Sequence, residues 1–382
     1  MQRIVIIGGG ITGCASAAEL AAEGHHVTLL EARGIAAMAS GWTLGGVRQS
    51  GRDPAELPLA RAAVDIWATL GDALHADVEY RRGGNLRLAR TPAEVDVIGT
   101  MVDTQRARGL DLRFLPDNDA VRAVAPAISR DVLAASLCPT DGHANPVKAT
   151  LAFAARARAL GAEVIEGVAA RSLRIRNGRV SGVVTVGDVI DADCVVVAAG
   201  INTPSLLAPL ALALPLSIKV VHVVQTEPLP PTLAQVFGVA NADCAGRQEA
   251  DGRLRFTGGA EDWHGYPDDW SERSLAPTEG DIRRLVTRVA DFLPIAEATR
   301  IHRTWAGLLD LTPDALPVID SPLPGLVVAA GFSGHGFCLG PVSGRLCADL
   351  ALGRAPRHDV SSFRIDRFAR LPSGEAQLTL HG

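Results

Sequence analysis

"RIVIIGGGITG", residues 3–13, decides the fold. Its four consecutive apolar residues, 4–7, read as a strand buried on both faces, as in a parallel sheet. Gly8, Gly10 and Gly13 then spell G-x-G-x-x-G, directly after that strand and at the opening of a helix. In that setting the first glycine permits a tight turn and the second lets the backbone approach a pyrophosphate. The third lets helix and strand pack closely. The helix N-terminus adds free N–H groups and a partial positive charge beside the phosphates. The small-residue helix "ITGCASAAELAAEG" (11–24) closes at Gly24, and "HVTLLE" (26–31) forms the second strand of a βαβ opening. Glu31 ends that strand, where its carboxylate is placed to accept both hydroxyls of an adenosine ribose. Strand, glycine turn, helix and acid in register point to a bound dinucleotide.

Working outward, "DPAELPLARAAVDIWATLGDAL" (53–74) is an amphipathic helix with Ala60, Val64, Trp67 and Leu70 on one face. Helices are also expected over 91–109, capped by Thr91 with Pro92 in the first turn, and over 145–161, capped by Asn145. Two more are expected over 277–293, capped by Thr278, and over 340–353 at the close. "GGNLRLAR" (83–90) alternates like a strand, and Asn177-Gly178 is the turn of a hairpin. "DADCVVVAAG" (191–200) and "GLVVAAG" (325–331) are buried strands, and residues 216–262 are strand-rich. The pattern puts an α/β nucleotide-binding unit at both chain ends, with a strand-rich unit inserted through the middle.

Composition narrows the function. With 382 residues the chain is long enough for two units sharing a core, and a hydrophobic content of 47% makes it globular rather than disordered. The formal net charge is −5 and no basic block occurs, which argues against nucleic acid and anionic membranes as partners. The greasy run "SLLAPLALALPLSI" (205–218) is too short, and too broken by Pro209 and Pro215, to span a bilayer. The N-terminus enters a strand at once, without signal-peptide character, so a cytoplasmic location is expected. Cys14, Cys138, Cys194, Cys244, Cys338 and Cys347 are scattered, with no CxxC pair and no zinc or iron–sulfur spacing, and no metal site is expected. The only lysines are Lys148 and Lys219.

"IVIIGGGITG", Glu31, "SGWTLGGVRQSGR", "VVVAAG", "TWAGLLDLTPDALPVID" and "GFSGHGF" together resemble the D-amino-acid oxidase (DAO) superfamily of flavoproteins, in order along essentially the whole chain. "GGVRQSGRDPAELPLA" and "DGHANP" look closest to β subunits of heteromeric amino acid dehydrogenases. The β-type subunits of opine oxidase, D-hydroxyproline dehydrogenase, sarcosine oxidase and proline dehydrogenase are of this kind. The resemblance implies a Rossmann-like FAD-binding domain of the glutathione-reductase type, made of residues 1–75, 142–215 and 303–382. A strand-rich α+β substrate domain, 76–141 and 216–302, is inserted into it. Noncovalent FAD would be held at its pyrophosphate by Gly8, Gly10, Thr12 and Gly13, and at its ribose by Glu31. Ser40, Gly41, Trp42, Gly45, Gly46 and Val47 would run past the flavin ring. Val168 would meet the adenine, and Ala199 and Gly200 would lie against the cofactor. Gly331, Gly334, His335, Gly336 and Phe337 would close over the pyrimidine end of the isoalloxazine.

The implied chemistry is oxidation of a C–N bond in a secondary amine or amino acid to an imine, with hydride passing to flavin N5. Arg48 is the candidate for the substrate carboxylate, because a guanidinium fork binds carboxylate bidentately. Arg52 competes with it, and either arginine could instead be satisfied by Asp53 or Glu56. His335 is the candidate acid–base residue, against a backbone-positioning reading. Glu261 and His264 could face the substrate or sit in an ordinary loop, and His143 caps a turn or touches a neighbour.

Three departures from related oxidases matter. "RLRFTGG" (253–259) lacks the lysine that activates oxygen near the flavin. Thr304 and Trp305 occupy the region where a cysteine tethers FAD, and Cys338 replaces a substrate-binding lysine. These favour a dehydrogenase that passes electrons to an α subunit and a 2Fe–2S protein, whose cluster cannot reside in this chain. The resemblance also allows a second flavin, FMN, at a subunit interface. The rival readings are a self-sufficient D-amino-acid or glycine oxidase using O2, and a non-catalytic FAD-binding subunit.

Overall fold

The computed structural model describes residues 1–369. The opening forms as expected, with strand β1 (Arg3–Ile7), helix α1 (Ile11–Ala22) and strand β2 (His26–Glu31). They belong to a six-stranded sheet in the order Val318–Leu323, Leu326–Ala330, Cys194–Val197, β1, β2, Glu163–Glu166. All its neighbours are parallel except the Val318–Leu323 edge. Alternation divides β1 between two cores. Ile4 and Ile6 pack with α1 and with residues of helix Pro146–Ala159, while Val5 and Ile7 pack with Val180 and Val183 of a small antiparallel sheet. A strand covered on both faces must be apolar at every position, which is what residues 4–7 supply. Asn177 and Gly178 both take positive φ, 52° and 70°, in the tight turn of that small sheet.

Helix α2 (Leu57–Leu74) buries Ala60, Val64, Trp67 and Leu70 along one stripe. It begins four residues later than the sequence pattern suggested, because Asp53 turns the chain, its carboxylate accepting from the Ala55 N–H at 2.7 Å. Thr91, Asn145 and Thr278 each accept an N–H bond at the start of a helix, as expected of N-caps.

The second sheet contains β3 (Ser217–Pro228), β4 (Arg253–Gly258) and β5 (Ile301–Leu311) among its strands. β5 pairs with β3 from Leu311 opposite Ser217 to Ile301 opposite Thr226. Residues 301–311 therefore belong to the second sheet, and the chain rejoins the first sheet at Val318. Within them "RTWAGLLDL" continues one long ladder. The last stretch of the expected FAD-binding domain, 370–382, lies outside the described residues.

Helix α3 (Gly336–Ala351) starts four residues before the expected position 340 and carries Pro341 inside it. Proline there removes only the N–H that would bond the Phe337 carbonyl, close to the helix start. The "GHGF" stretch is thus the N-terminus of α3 rather than a loop ahead of it. α3 lies so close to α1 that a Cβ on Gly344 would sit 2.5 Å from the Ala15 Cβ. Trp67 of α2 is fully buried, its ring 4.9 Å from that of Phe337 and its indole N–H donating to the Cys338 carbonyl at 2.9 Å. Trp67→Phe loses this bond and leaves a void, and is expected to cost about 2–3 kcal/mol in chemical denaturation. Among the described residues no helix is long and apolar enough to cross a membrane.

Candidate active site

A cleft of about 620 Å³ opens at the end of β1 and is bounded by two helix N-termini. At the first, Gly10 is the N-cap of α1 without a side-chain cap of its own, and Ser40 Oγ accepts the Ile11 N–H at 3.0 Å. At the second, Gly334, Gly336 and Phe337 line the cleft around the start of α3, whose N-cap His335 also makes no side-chain cap. Both ends suit negative charge. Gly8, with φ +114°, closes the turn where a Cβ would come 2.2 Å from the Ala198 carbonyl oxygen. A Cβ on Gly13 would come 2.0 Å from the Gly8 carbonyl oxygen. Glu31 Oε2 accepts from the Gly9 N–H and Oε1 from the Arg33 N–H at 2.8 Å, so its carboxylate is held at the cleft wall. Thr12, Ser40, Val168, Ala199 and Gly200 line the same cleft. The Val168 N–H is already given to the Glu31 carbonyl at 3.0 Å, which leaves its carbonyl for a ligand. A cleft of this volume, two anion-tolerant ends and an acid at the β2 terminus fit a dinucleotide.

The other named residues act behind this lining. Gly13, Gly41, Gly45, Val47 and Gly331 line neither this cleft nor the cavity next to it. Gly41 and Gly45 sit where a Cβ would meet the carbonyl oxygens of Ala36 at 1.9 Å and Ala144 at 2.4 Å. Gly331, at φ +66°, donates its N–H to Asp310 Oδ2. The cleft's outer side is closed by Pro267, Asp268 and Trp270 of the inserted unit. Arg33 stacks 3.8 Å from the Trp270 ring centroid and donates to its carbonyl at 2.9 Å, and Asn202 Nδ2 donates to Asp268.

A smaller cavity of about 130 Å³ adjoins the cleft, sharing Thr43, Leu309, Gly334 and Phe337 with it. Trp42, Gly46, Arg48, Arg52 and His335 line it together with Val221, Val223, Val236, Cys244 and Ala245. Trp42 fills the space above Gly307, where a Cβ would fall 1.0 Å from the indole Cζ3. Thr257 of β4 also reaches this cavity, and no lysine lines either space among the described residues.

The two arginines differ sharply. Arg52 Nη1 lies 3.4 Å from Glu56 Oε1 and its Nε donates to the Arg48 carbonyl. Arg48 is equally buried, yet has no acidic partner at ion-pair distance among the described residues, and donates through Nη1 to the Ser50 carbonyl at 2.9 Å. Burial, then Arg52 and Arg87, pull its pKa well below the ordinary value, while Asp141 opposes them. A guanidinium does not give up its proton, so the shift registers a buried cation in need of an anion. Asp141 sets the geometry, accepting from the Gln49 N–H at 2.9 Å, the Ser50 N–H at 3.2 Å and the Ser50 hydroxyl at 2.5 Å.

His335 Nδ1 lies 2.9 Å from Glu56 Oε2, and both side chains are buried. Burial pushes the Glu56 carboxyl up, but His335 and Arg52 outweigh it and hold the group below the ordinary carboxylate range. Burial, then Arg52, hold His335 below the ordinary imidazole value.

Four positions take supporting or peripheral places. Glu261 and His264 are exposed and line neither space; Glu261 lies in the short strand Glu261–Asp262 that pairs with β3, and His264 follows it outside any helix or strand. His143 Nδ1 accepts from Arg247 Nη1 at 2.8 Å, and burial with Arg247 pushes its pKa to about 2. The Cys338 thiol donates to the Arg48 carbonyl at 3.4 Å, so it supports Arg48 from behind and stays out of the cavity lining.

Sequence reasoning missed the inner supports. Arg255 Nη1 donates to the Thr43 carbonyl at 2.9 Å, Arg247 Nε donates to the Leu44 carbonyl, and Glu249 joins the two arginines. Together they hold the loop that lines both spaces. Asp141 lay in plain view in "DGHANP", but its role needs the fold that brings it to Ser50.

The family model described as "FAD dependent oxidoreductase", DAO, matches residues 3–350. The chain is 28% identical over 379 residues to 4-methylaminobutanoate oxidase (formaldehyde-forming) of Paenarthrobacter nicotinovorans; the match covers 96% of this chain and 46% of that relative, under half its length. It is 26% identical over 375 residues to the β subunit of sarcosine oxidase of Rhizobium meliloti, covering 96% of this chain and 88% of the relative. L-proline dehydrogenase from P. horikoshii superposes with a TM-score of 0.88 at 28% identity, covering 96% of this chain and 98% of that one.

Proposed function

Because the chain belongs to the DAO family of FAD-dependent oxidoreductases, we propose that it oxidises the C–N bond of a secondary amine or amino acid to an imine. The substrate is a monocarboxylate of the proline, hydroxyproline, sarcosine or opine kind, and its electrons leave through partner subunits in the cytoplasm. The observation that carries this reading is Arg48, a buried guanidinium without an acidic partner among the described residues, facing a small apolar cavity beside the dinucleotide cleft.

Gly8, Gly10 and Thr12 would hold the FAD pyrophosphate end, joined there by Ser40, whose Oγ accepts the Ile11 N–H at the α1 N-terminus rather than following the flavin ring. Glu31 would hold the ribose, and Gly334, Gly336 and Phe337 the flavin end. When bound, FAD supplies the two-electron acceptor for the substrate. Arg48 binds the carboxylate through its fork and fixes the distance of the α-carbon from the cleft. Val221, Val223, Val236 and Ala245 accept a compact apolar group and exclude water from it. The start of α3 stabilises negative charge gathered at the cleft's inner end.

Electron export is supported by the likeness to a sarcosine oxidase β subunit and by the lysines. Lys148 and Lys219 are engaged by Glu79 and Asp262, outside both lined spaces. An α subunit and a 2Fe–2S protein are the proposed acceptors. An FMN at their interface would appear as a second flavin per purified complex.

The test is anaerobic mixing of the yellow protein with proline, hydroxyproline, N-methyl amino acids, opines and D-amino acids. At least one should bleach the flavin, and the bleached protein should reoxidise slowly in air. Rapid peroxide formation at turnover would favour the self-sufficient oxidase, and no bleaching by any of them would remove the amine-oxidising reading.

A further inference from the structure

The residue pair Glu56 and His335 carries more than an ion pair. Glu56 has no exposure, and His335 is only 5% exposed. The Glu56 carboxylate faces Arg52 on one oxygen and His335 Nδ1 on the other. An ionised carboxylate only accepts, so Nδ1 must carry the imidazole proton. Nε2 is then left with a lone pair. That atom is buried and has no partner, on a residue that lines the same small cavity as Arg48. A buried acceptor without a donor costs stability unless a ligand supplies the donor.

We propose that Glu56 is a positioning residue that locks His335 in its Nδ1–H tautomer, so that Nε2 accepts the N–H of the substrate's amine while Arg48 takes the carboxylate. This deepens the proposed function and rests on it. The cavity then reads two groups at once, an anion and an N–H donor. A carboxylate lacking the N–H leaves Nε2 unsatisfied and is rejected. Arg52 keeps Glu56 ionised, and thereby acts on the amine contact without touching it.

Two planar, unreactive acids of nearly one shape separate these roles. Pyrrole-2-carboxylate carries a ring N–H beside its carboxylate, and furan-2-carboxylate carries a ring oxygen there. Calorimetric titration of the FAD-loaded protein is expected to show the pyrrole acid binding about 10- to 100-fold more tightly, the range for leaving a buried acceptor unpaired. In Glu56→Gln, Arg52 claims the amide oxygen and turns the NH2 toward Nδ1. Nδ1 must now accept, Nε2 carries the proton, and the preference should fall to about 3-fold or less while furan-2-carboxylate keeps its affinity. Histidine labelled with 15N reports the same switch without any ligand, with His335 protonated at Nδ1 in the wild type and at Nε2 in the variant.

Equal binding of the two acids by the wild type overturns the proposal, as does an Nε2–H tautomer there, or an undiminished preference in the variant. The wild-type measurements decide the matter even where the variant does not fold. If neither acid binds, this inference falls, whereas the proposed function falls only if the bleaching screen fails.

Discussion

Arg48→Ala is expected to weaken apparent substrate affinity by about 30- to 1000-fold, the loss of roughly 2–4 kcal/mol for removing one side of a buried charge-assisted contact. FAD content should stay at the wild-type level, because Arg48 lines the small cavity and not the cleft. The substitution also removes a buried cation that has no acidic partner at ion-pair distance among the described residues, so the variant should be no less stable to denaturant than the wild type. That combination, weaker binding without lost stability, separates a ligand-binding arginine from a structural one. Arg52→Ala makes the contrast. It strips the ion-pair partner from Glu56, a side chain with no exposure, and should lower stability by several kcal/mol. Steady-state KM with amino-acid substrates, set beside denaturation midpoints for the two variants, provides the check. An unchanged KM in Arg48→Ala would move carboxylate binding elsewhere.

Gly13→Ala is the second large effect. The added Cβ would lie 2.0 Å from the Gly8 carbonyl oxygen, a backbone atom that cannot step aside without opening the β1–α1 turn. Overpacking of this kind costs about 1–3 kcal/mol, and here the displaced turn is also the wall of the cleft. The variant should purify colourless, with FAD affinity down by at least about 100-fold, equivalent to roughly 3 kcal/mol. Gly10→Ala is the milder companion, because its Cβ meets only Ser40 Oγ at 3.1 Å. It should keep the fold by circular dichroism and still bind FAD poorly, since Gly10 itself faces the cleft. Flavin absorbance per protein after dialysis against excess FAD measures both.

The strand, glycine turn, helix and acid of the opening were legible in the sequence because their signals are local. Gly8, Gly10, Gly13 and Glu31 lie within one βαβ unit, and each has a backbone reason to be that residue. The caps Thr91, Asn145 and Thr278 were readable for the same reason. The half proposed to hold the substrate was not, because its contacts join residues far apart in sequence. Glu56 meets His335 across 279 positions, and Arg247 reaches Leu44 across 203. No periodicity encodes such pairs. The sequence put Arg48 ahead of Arg52 but left an acidic partner open for either, and only the fold shows that Glu56 holds Arg52. Sheet membership of residues 301–311 was hidden similarly, since pairing with β3 is a long-range event.

The two adjoining spaces share Thr43, Leu309, Gly334 and Phe337, whereas Val236, Ala242, Cys244, Ala245 and Thr257 touch the smaller one alone. The molecule therefore has a common wall and a private wall. On the function proposed above, changes on the common wall would disturb cofactor and substrate together. On that reading, changes on the private wall, built from neighbouring strands of the second sheet and the turn at Ala242, would reshape the guest without disturbing the tool that acts on it. For the same proposed function, a redesign of substrate range has its natural ground there, on side chains that do not reach the larger cleft.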